Sequence, residues 1–368
     1  MTKNSNIHIL ITAIIISIIG ILSIYSTTYQ KEGEFLQLTY QRQIVWVLLG
    51  LVCFVIMSNL HYRIIWGATY FLYILGVLLL FLVFVVGAIS LGAQRWLRFS
   101  WFNFQPSEIA KLITVVFLAR YFSRKTVDDV SSSANKSSLL RGLILPFIFV
   151  SVPMLFIIEQ PDLGSGIMVL IVFMVMLYLS GIRLRYIALF VCVLLIAAPI
   201  LWHFLRDYQK DRLLVFLNPN VDPLGAGYTV IQSKIAIGSG GFFGKGWLSG
   251  TQSQLRFLPE AHTDFIFATF AEEWGLFGGF VLLSLYFVLI AEGLRSAFRT
   301  KDEFGRLLAF GISLMIGVQV FINISMNLGM APVVGIPLPL MSYGGSSVLT
   351  TFIALGILTN INKTRGVF

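Results

Sequence analysis

Between Phe257 and Phe267, the run Phe257-Leu258-Pro259-Glu260-Ala261-His262-Thr263-Asp264-Phe265-Ile266-Phe267 sets two carboxylates, an imidazole and a hydroxyl at the mouth of a long apolar stretch. Ionisable groups at a membrane helix mouth cost free energy to place, so a cluster of them marks a functional site. Asp264 is the leading candidate for a general base. A carboxylate serves in that role when burial raises its pKa enough to accept a proton from a hydroxyl, whereas a helix N-terminus pulls the pKa down. The plainer alternative is helix-start chemistry, with Thr263 or His262 as cap and Asp264 favoured in the first turn by the dipole. Glu260 and His262 flank Asp264 as supporting groups. A single histidine without spaced partners is weak evidence for a metal, and no metal site is read here. Glu272 and Glu273 follow on the same helix, about two turns deeper at roughly 1.5 Å per residue, and need partners there.

Other charged groups interrupt apolar sequence. Gln105-Pro106-Ser107-Glu108-Ile109-Ala110-Lys111 opens a helix with proline near its first position, and Glu108 and Lys111 stand one turn apart. They could neutralise each other, or Lys111 could bind a phosphate that Glu108 orients. Arg95 and Arg98 flank Trp96 and could anchor at headgroups or grip a pyrophosphate. Asp162, in Glu159-Gln160-Pro161-Asp162-Leu163-Gly164-Ser165, is placed to cap the next helix. In Gly335 to Ser347 two prolines forbid continuous helix. Gly344-Gly345-Ser346-Ser347 then exposes backbone N–H groups, with Ser342 and Ser346 as candidate ligands for an anion, or serves close helix packing.

The elements that position these residues are legible from composition. Over 368 residues, 57% are hydrophobic and 12% charged, with a mean hydropathy of +0.86, which excludes an ordinary soluble domain. The chain reads as an all-α polytopic membrane protein, one membrane domain over 1–368, with about ten transmembrane helices. Spans are expected near 7–27, 43–60, 64–88, 106–122, 140–158, 164–181, 185–204, 264–294, 305–328 and 343–361. The first reads as a retained helix rather than a signal peptide. Lys and Arg concentrate in the short loops on the side of the termini, which makes that side cytoplasmic and turns the segment 205–263, between helices 7 and 8, outward. A loop that long is expected to carry structure of its own. Tyr228, Ile231 and Ile235 predict a short helix lying on the bilayer surface, and 128–138 reads as a solvated cytoplasmic connector. The net charge of +9 follows from this topology and from attraction to anionic membrane lipids, not from nucleic-acid binding. Cys53 and Cys192 lie inside spans and carry no disulfide reading.

Together the motifs resemble one family. They are Gly92-Ala93-Gln94-Arg95-Trp96, Gln105 to Lys111, Gln160-Pro161-Asp162-Leu163-Gly164, and Asp222-Pro223-Leu224-Gly225-Ala226-Gly227-Tyr228 with Ile231-Gln232-Ser233-Lys234. Further on come Gly246-Trp247-Leu248, Gly250-Thr251-Gln252, Leu258-Pro259-Glu260, His262-Thr263-Asp264-Phe265, Pro337-Leu338-Pro339 and Ser342 to Ser346. Nearly the whole chain is similar to the SEDS (shape, elongation, division and sporulation) family, and Gly250 to Gln254 with the short N-terminal tail point to its RodA-type branch. The resemblance implies ten membrane helices in the bacterial cytoplasmic (inner) membrane and polymerisation of lipid II into glycan strands at the outer face. It implies that Asp264 deprotonates the acceptor 4-hydroxyl, with undecaprenyl pyrophosphate as the leaving group. Arg95, Lys111, Arg206, Arg212, Lys234 and Lys245 are then candidates for stabilising the pyrophosphate. A divalent cation, Mg or Mn, could share that work, but no ligand set for one is legible. The implied partners are a class B penicillin-binding protein transpeptidase and the elongation machinery.

Two other readings compete. A lipid-linked precursor flippase also needs intramembrane charges and proline-broken helices. The septal, FtsW-type polymerase is the neighbouring branch of the same family.

Overall fold

In the computed structural model the described residues are 2–29, 38–90, 93–98, 103–123, 140–222 and 225–364. The expected connector at 128–138 lies outside them. Helices α1 (Thr2–Thr28), α2 (Thr39–Asn59) and α3 (Tyr62–Val86) come first, followed by three short strands, β1 (Ala88–Ser90), β2 (Ala93–Arg98) and β3 (Asn103–Phe104). Then follow α4 (Pro106–Ser123), α5 (Leu145–Glu159), α6 (Leu163–Leu179), α7 (Leu184–Phe204), α8 (Asp207–Leu217), α9 (Ala226–Ser239) and the single turn α10 (Thr251–Gln254). Helices α11 (Ile266–Arg299), α12 (Glu303–Asn327) and α13 (Gly345–Thr364) complete the chain.

Helices α1 to α7 and α11 to α13 coincide with the ten expected spans. Among the described residues, seven helices are long and apolar enough to cross a membrane. The other three are α4, α6 and α7. Helix α4 carries Glu108, Lys111 and Arg120, α6 has 17 residues, and α7 is apolar over its 21 residues but is counted only over Leu184–Ile200. Large apolar side chains stay exposed along α3 and α7, Phe71 and Ile196 among them. Such surface suits lipid rather than water.

Three short strands accompany the otherwise helical fold. β1 pairs antiparallel with β2, and β2 with β3. The Gln94 side-chain amide of β2 donates to the carbonyls of Val83 and Gly87, both at 3.1 Å, satisfying backbone groups that the end of α3 leaves open.

The chain forms two compact units. The first comprises residues 1–55, 207–292 and 316–355, and the second 56–206, 293–315 and 356–368. In the first, α8, α9 and α10 follow one another, and α9 buries a different face from the one predicted. Val230, Ser233 and Ala236 point inward, whereas Ile235 is exposed. Ala236 joins Leu258, Ala261, Phe265 and Ala268 in a small core.

Helix α11 is broken at Gly275, where φ is 66° and ψ −165°. The loop 240–246 completes the broken ladder. Lys245 and Gly246 donate their N–H groups to the carbonyls of Glu272 and Glu273, both at 3.0 Å. Leu276 and Phe277 donate theirs to Gly241 and Phe242, at 2.9 and 3.0 Å. Backbone groups in a membrane must find partners inside the protein, and here a loop supplies what the helix gave up.

Candidate active site

Asp264 lies two residues ahead of α11, in a tight series of turns, and is half-buried. The helix-start reading therefore needs correcting. Thr263 does not cap α11, because its hydroxyl turns back to the Glu260 carboxylate at 3.0 Å. Glu260 holds a positive φ of 50°, and its carbonyl accepts from the N–H groups of Thr263 (3.1 Å) and Phe265 (3.2 Å). A non-glycine residue in that region of backbone space persists only where its surroundings fix it.

The surroundings fix three carbonyls in a row. The carbonyl of His262 accepts from the N–H of Tyr343 at 2.9 Å, and that of Thr263 from the Ser342 hydroxyl at 2.6 Å. The carbonyl of Asp264 accepts from two side-chain amides of α12, Asn323 at 3.1 Å and Asn327 at 3.0 Å. Ser342 also accepts from the Leu338 N–H at 2.8 Å, so its hydroxyl hydrogen is committed to the backbone. The Asn327 side-chain oxygen takes the N–H of Ala268, in the first turn of α11, at 3.2 Å. Asn323 and Asn327 were missed in the sequence. The signal was present, since two asparagines four apart in an apolar span are expensive unless both are used.

Deeper in α11, Glu272 has the partners its burial requires, whereas the buried Oε2 of Glu273 has no hydrogen-bond partner among the described residues. Glu272 accepts from Lys245 (2.7 Å), from the Thr251 hydroxyl (3.0 Å) and from the N–H of Gln252 (3.1 Å). Glu273 accepts from the Ser26 hydroxyl of α1. Lys234 is exposed on α9, with its chain lying over Gly329. Arg212 lines a cleft with Val215, Pro219, Val230, Gly329 and Val333, and its guanidinium sits 5.9 Å from the Tyr208 ring. Ser346 is buried in the first turn of α13.

The second unit holds the remaining candidates. Lys111 meets Glu108 at 2.7 Å, with both side chains buried. Asp162 caps α6 by accepting from the Ser165 N–H at 3.1 Å, as its position predicts, and it also accepts from Ser107 (3.0 Å) and Gln105 (3.2 Å). Arg206 pairs with Glu159 at 2.9 Å, both exposed. Arg95 lies in β2 and its buried Nε has no hydrogen-bond partner among the described residues. No group of three or more His, Cys, Asp or Glu side chains gathers among the described residues to hold a metal ion.

A family model described as cell cycle protein, for FtsW, RodA and SpoVE, matches residues 6–366. The chain belongs to the FtsW/RodA/SpoVE family. Among its relatives in this family, the peptidoglycan glycosyltransferase MrdB of Escherichia coli K12 is 48% identical over 347 residues, covering 94% of this chain and 90% of that protein. The probable peptidoglycan glycosyltransferase FtsW of Geobacter sulfurreducens is 38% identical over 362 residues, covering 96% of this chain and 94% of that protein. A solved structure described as structural coordination of polymerization and crosslinking by a peptidoglycan synthase complex matches with a TM-score of 0.80 at 32% identity, covering 97% of each chain. The crystal structure of Thermus thermophilus RodA matches with a TM-score of 0.70 at 28% identity, covering 97% of this chain and 96% of that one. The helical, multi-pass FtsW/RodA/SpoVE fold thus accounts for nearly the whole chain.

Proposed function

We propose that this chain is a RodA-type peptidoglycan glycosyltransferase that polymerises lipid II into glycan strands during cell elongation. The observation that carries the reading is the setting of Asp264. It offers a half-buried carboxylate on a backbone held at three consecutive carbonyls, within a chain 48% identical to a peptidoglycan glycosyltransferase.

In this reading Asp264 takes the proton of the acceptor sugar 4-hydroxyl as that oxygen attacks the anomeric carbon of the donor. The bond from the anomeric carbon to the undecaprenyl pyrophosphate breaks, and its electron pair leaves with the phosphate oxygen. Holding the base in position lowers the barrier by avoiding reorganisation when the proton moves. Fixed cations near the leaving group offset its growing charge. Among the basic candidates of the first unit, Lys234 is better supported than Lys245, which already faces the Glu272 carboxylate. Glu260 and His262 support the turn, and Ser342 and Ser346 flank the loop beside it.

The active site faces the outer side of the bacterial inner membrane, with both termini in the cytoplasm. A class B penicillin-binding protein transpeptidase is the partner. The solved synthase complex, which coordinates polymerization with crosslinking, supports that assignment.

The test is polymer formation from labelled lipid II by the purified protein with its partner, wild type against Asp264→Asn. Polymer from the wild type alone is the expected result. Equal polymer from both would overturn Asp264 as the base. Headgroup movement across liposomes without polymer would point to a flippase.

A further inference from the structure

We infer that Asn323 and Asn327 are positioning residues that set the Asp264 carboxylate by clamping the carbonyl of the same residue, with Ser342 completing the grip one residue earlier. The inference rests on the reading of Asp264 as the general base.

A side chain is aimed by its own backbone, and a turn outside regular structure lacks the ladder that fixes a helix or strand. Here three carbonyls, His262, Thr263 and Asp264, are taken by donors from two other parts of the first unit: Tyr343 and Ser342 from the proline-rich loop, Asn323 and Asn327 from α12. The donors are themselves braced. Asn323 also donates to the Ile336 carbonyl at 2.8 Å, fastening the proline-rich loop to α12. Asn327 donates to the Asn323 carbonyl at 2.8 Å and accepts from Ala268, and its own carbonyl accepts from the Ser233 hydroxyl of α9 at 2.7 Å. Asn323 and Asn327 are both fully buried, so solvent cannot substitute for them. One pair of amides, four residues apart on one helix face, therefore ties α11 and the proline-rich loop to the backbone of the proposed base, and the main-chain carbonyl of Asn327 adds α9.

Neither asparagine carries a group able to take the acceptor proton, so their effect passes through Asp264. A misplacement of about 1 Å is enough to cost on the order of a hundredfold in rate. Removing one donor leaves the Asp264 carbonyl with the other, so single variants are expected to loosen the turn rather than unfold the protein.

The experiment takes Asn323→Ala, Asn327→Ala and Ser342→Ala in the full chain with its partner. It measures turnover against lipid II concentration, melting in detergent, and hydrogen exchange of the amides in 260–268. The expected result is a fall in kcat of tenfold or more, KM within twofold, little change in melting, and faster exchange of 260–268. Unchanged kcat in a folded variant, or a loss carried wholly by KM or by melting, would overturn the inference. Should Asn327→Ala fail to fold because the Ala268 N–H loses its acceptor, Asn323→Ala and Ser342→Ala still decide. The two readings fail differently. If Asp264→Asn keeps its activity, the base assignment falls, whereas unchanged exchange in 260–268 sinks the clamp alone.

Discussion

Lys245 reaches Glu272 at 2.7 Å, although the lysine sits in an exposed loop and the carboxylate is buried to 0% exposure within α11. A buried charge stripped of its partner is costly. Lys245→Met is therefore expected to destabilise the protein by about 3 kcal/mol, and adding Glu272→Gln is expected to recover part of the loss. Denaturant titration in detergent reads both. A single substitution without effect would show that water or another donor already satisfies Glu272.

Glu108 and Lys111 make the same kind of contact, with both partners inside α4. Each single change, Glu108→Gln or Lys111→Met, is expected to cost about 3–5 kcal/mol. The double variant should cost less than the sum, with a coupling of about 1–3 kcal/mol in a double-mutant cycle. Additive losses would mean that each group serves something other than its neighbour.

Gly275 and Gly279 lie one turn apart on α11 and should respond in opposite ways. A Cβ at Gly275 would fall 2.3 Å from the Gly244 nitrogen, on a backbone with φ of 66°, so Gly275→Ala is expected to cost about 1–3 kcal/mol or more. At Gly279 the nearest atom to a Cβ is Phe267 Cζ at 4.0 Å, and alanine there is expected to be neutral or to stabilise by up to about 1 kcal/mol. Melting of the two variants side by side checks the contrast.

Asp162 caps α6 and also receives Gln105 and Ser107, so Asp162→Ala removes the acceptor of three donors at once. The expected loss is about 2–4 kcal/mol, against about 1 kcal/mol for Ser107→Ala. Equal losses would place the whole effect in the Ser107 contact.

The ten spans were legible because apolar length is a strong signal that neighbouring contacts seldom overrule. The Asp162 cap and the Glu108–Lys111 contact were legible because both depend on residues three apart in sequence. What escaped depends on distant chain. Nothing local distinguishes Gly275 from Gly278 as the break, since the partner that closes it, 240–246, is supplied some thirty residues earlier. The buried face of α9 was misread for a related reason. Small Ser233 and Ala236 are chosen by what they pack against, while the larger Ile235 stays outside. At the site, Asp264 stood out by its charge, and the spacing of Asn323 and Asn327 marks them as used, but it does not name their partner, a backbone carbonyl roughly sixty residues away.

An unbroken helix behaves as a torsion rod, passing rotation at one end to the other. The interruption of α11 at Gly275 removes that coupling from the nine residues Ile266 to Trp274, because the ladder across the break runs sideways into 240–246 instead of along the axis. Twisting of the longer stretch 276–299 by lipid or by a neighbouring protein is thus absorbed before it arrives at Asp264. What does reach the carboxylate arrives from the side, through 240–246 and through the donors of α12 and of Ser342 and Tyr343 that hold its backbone.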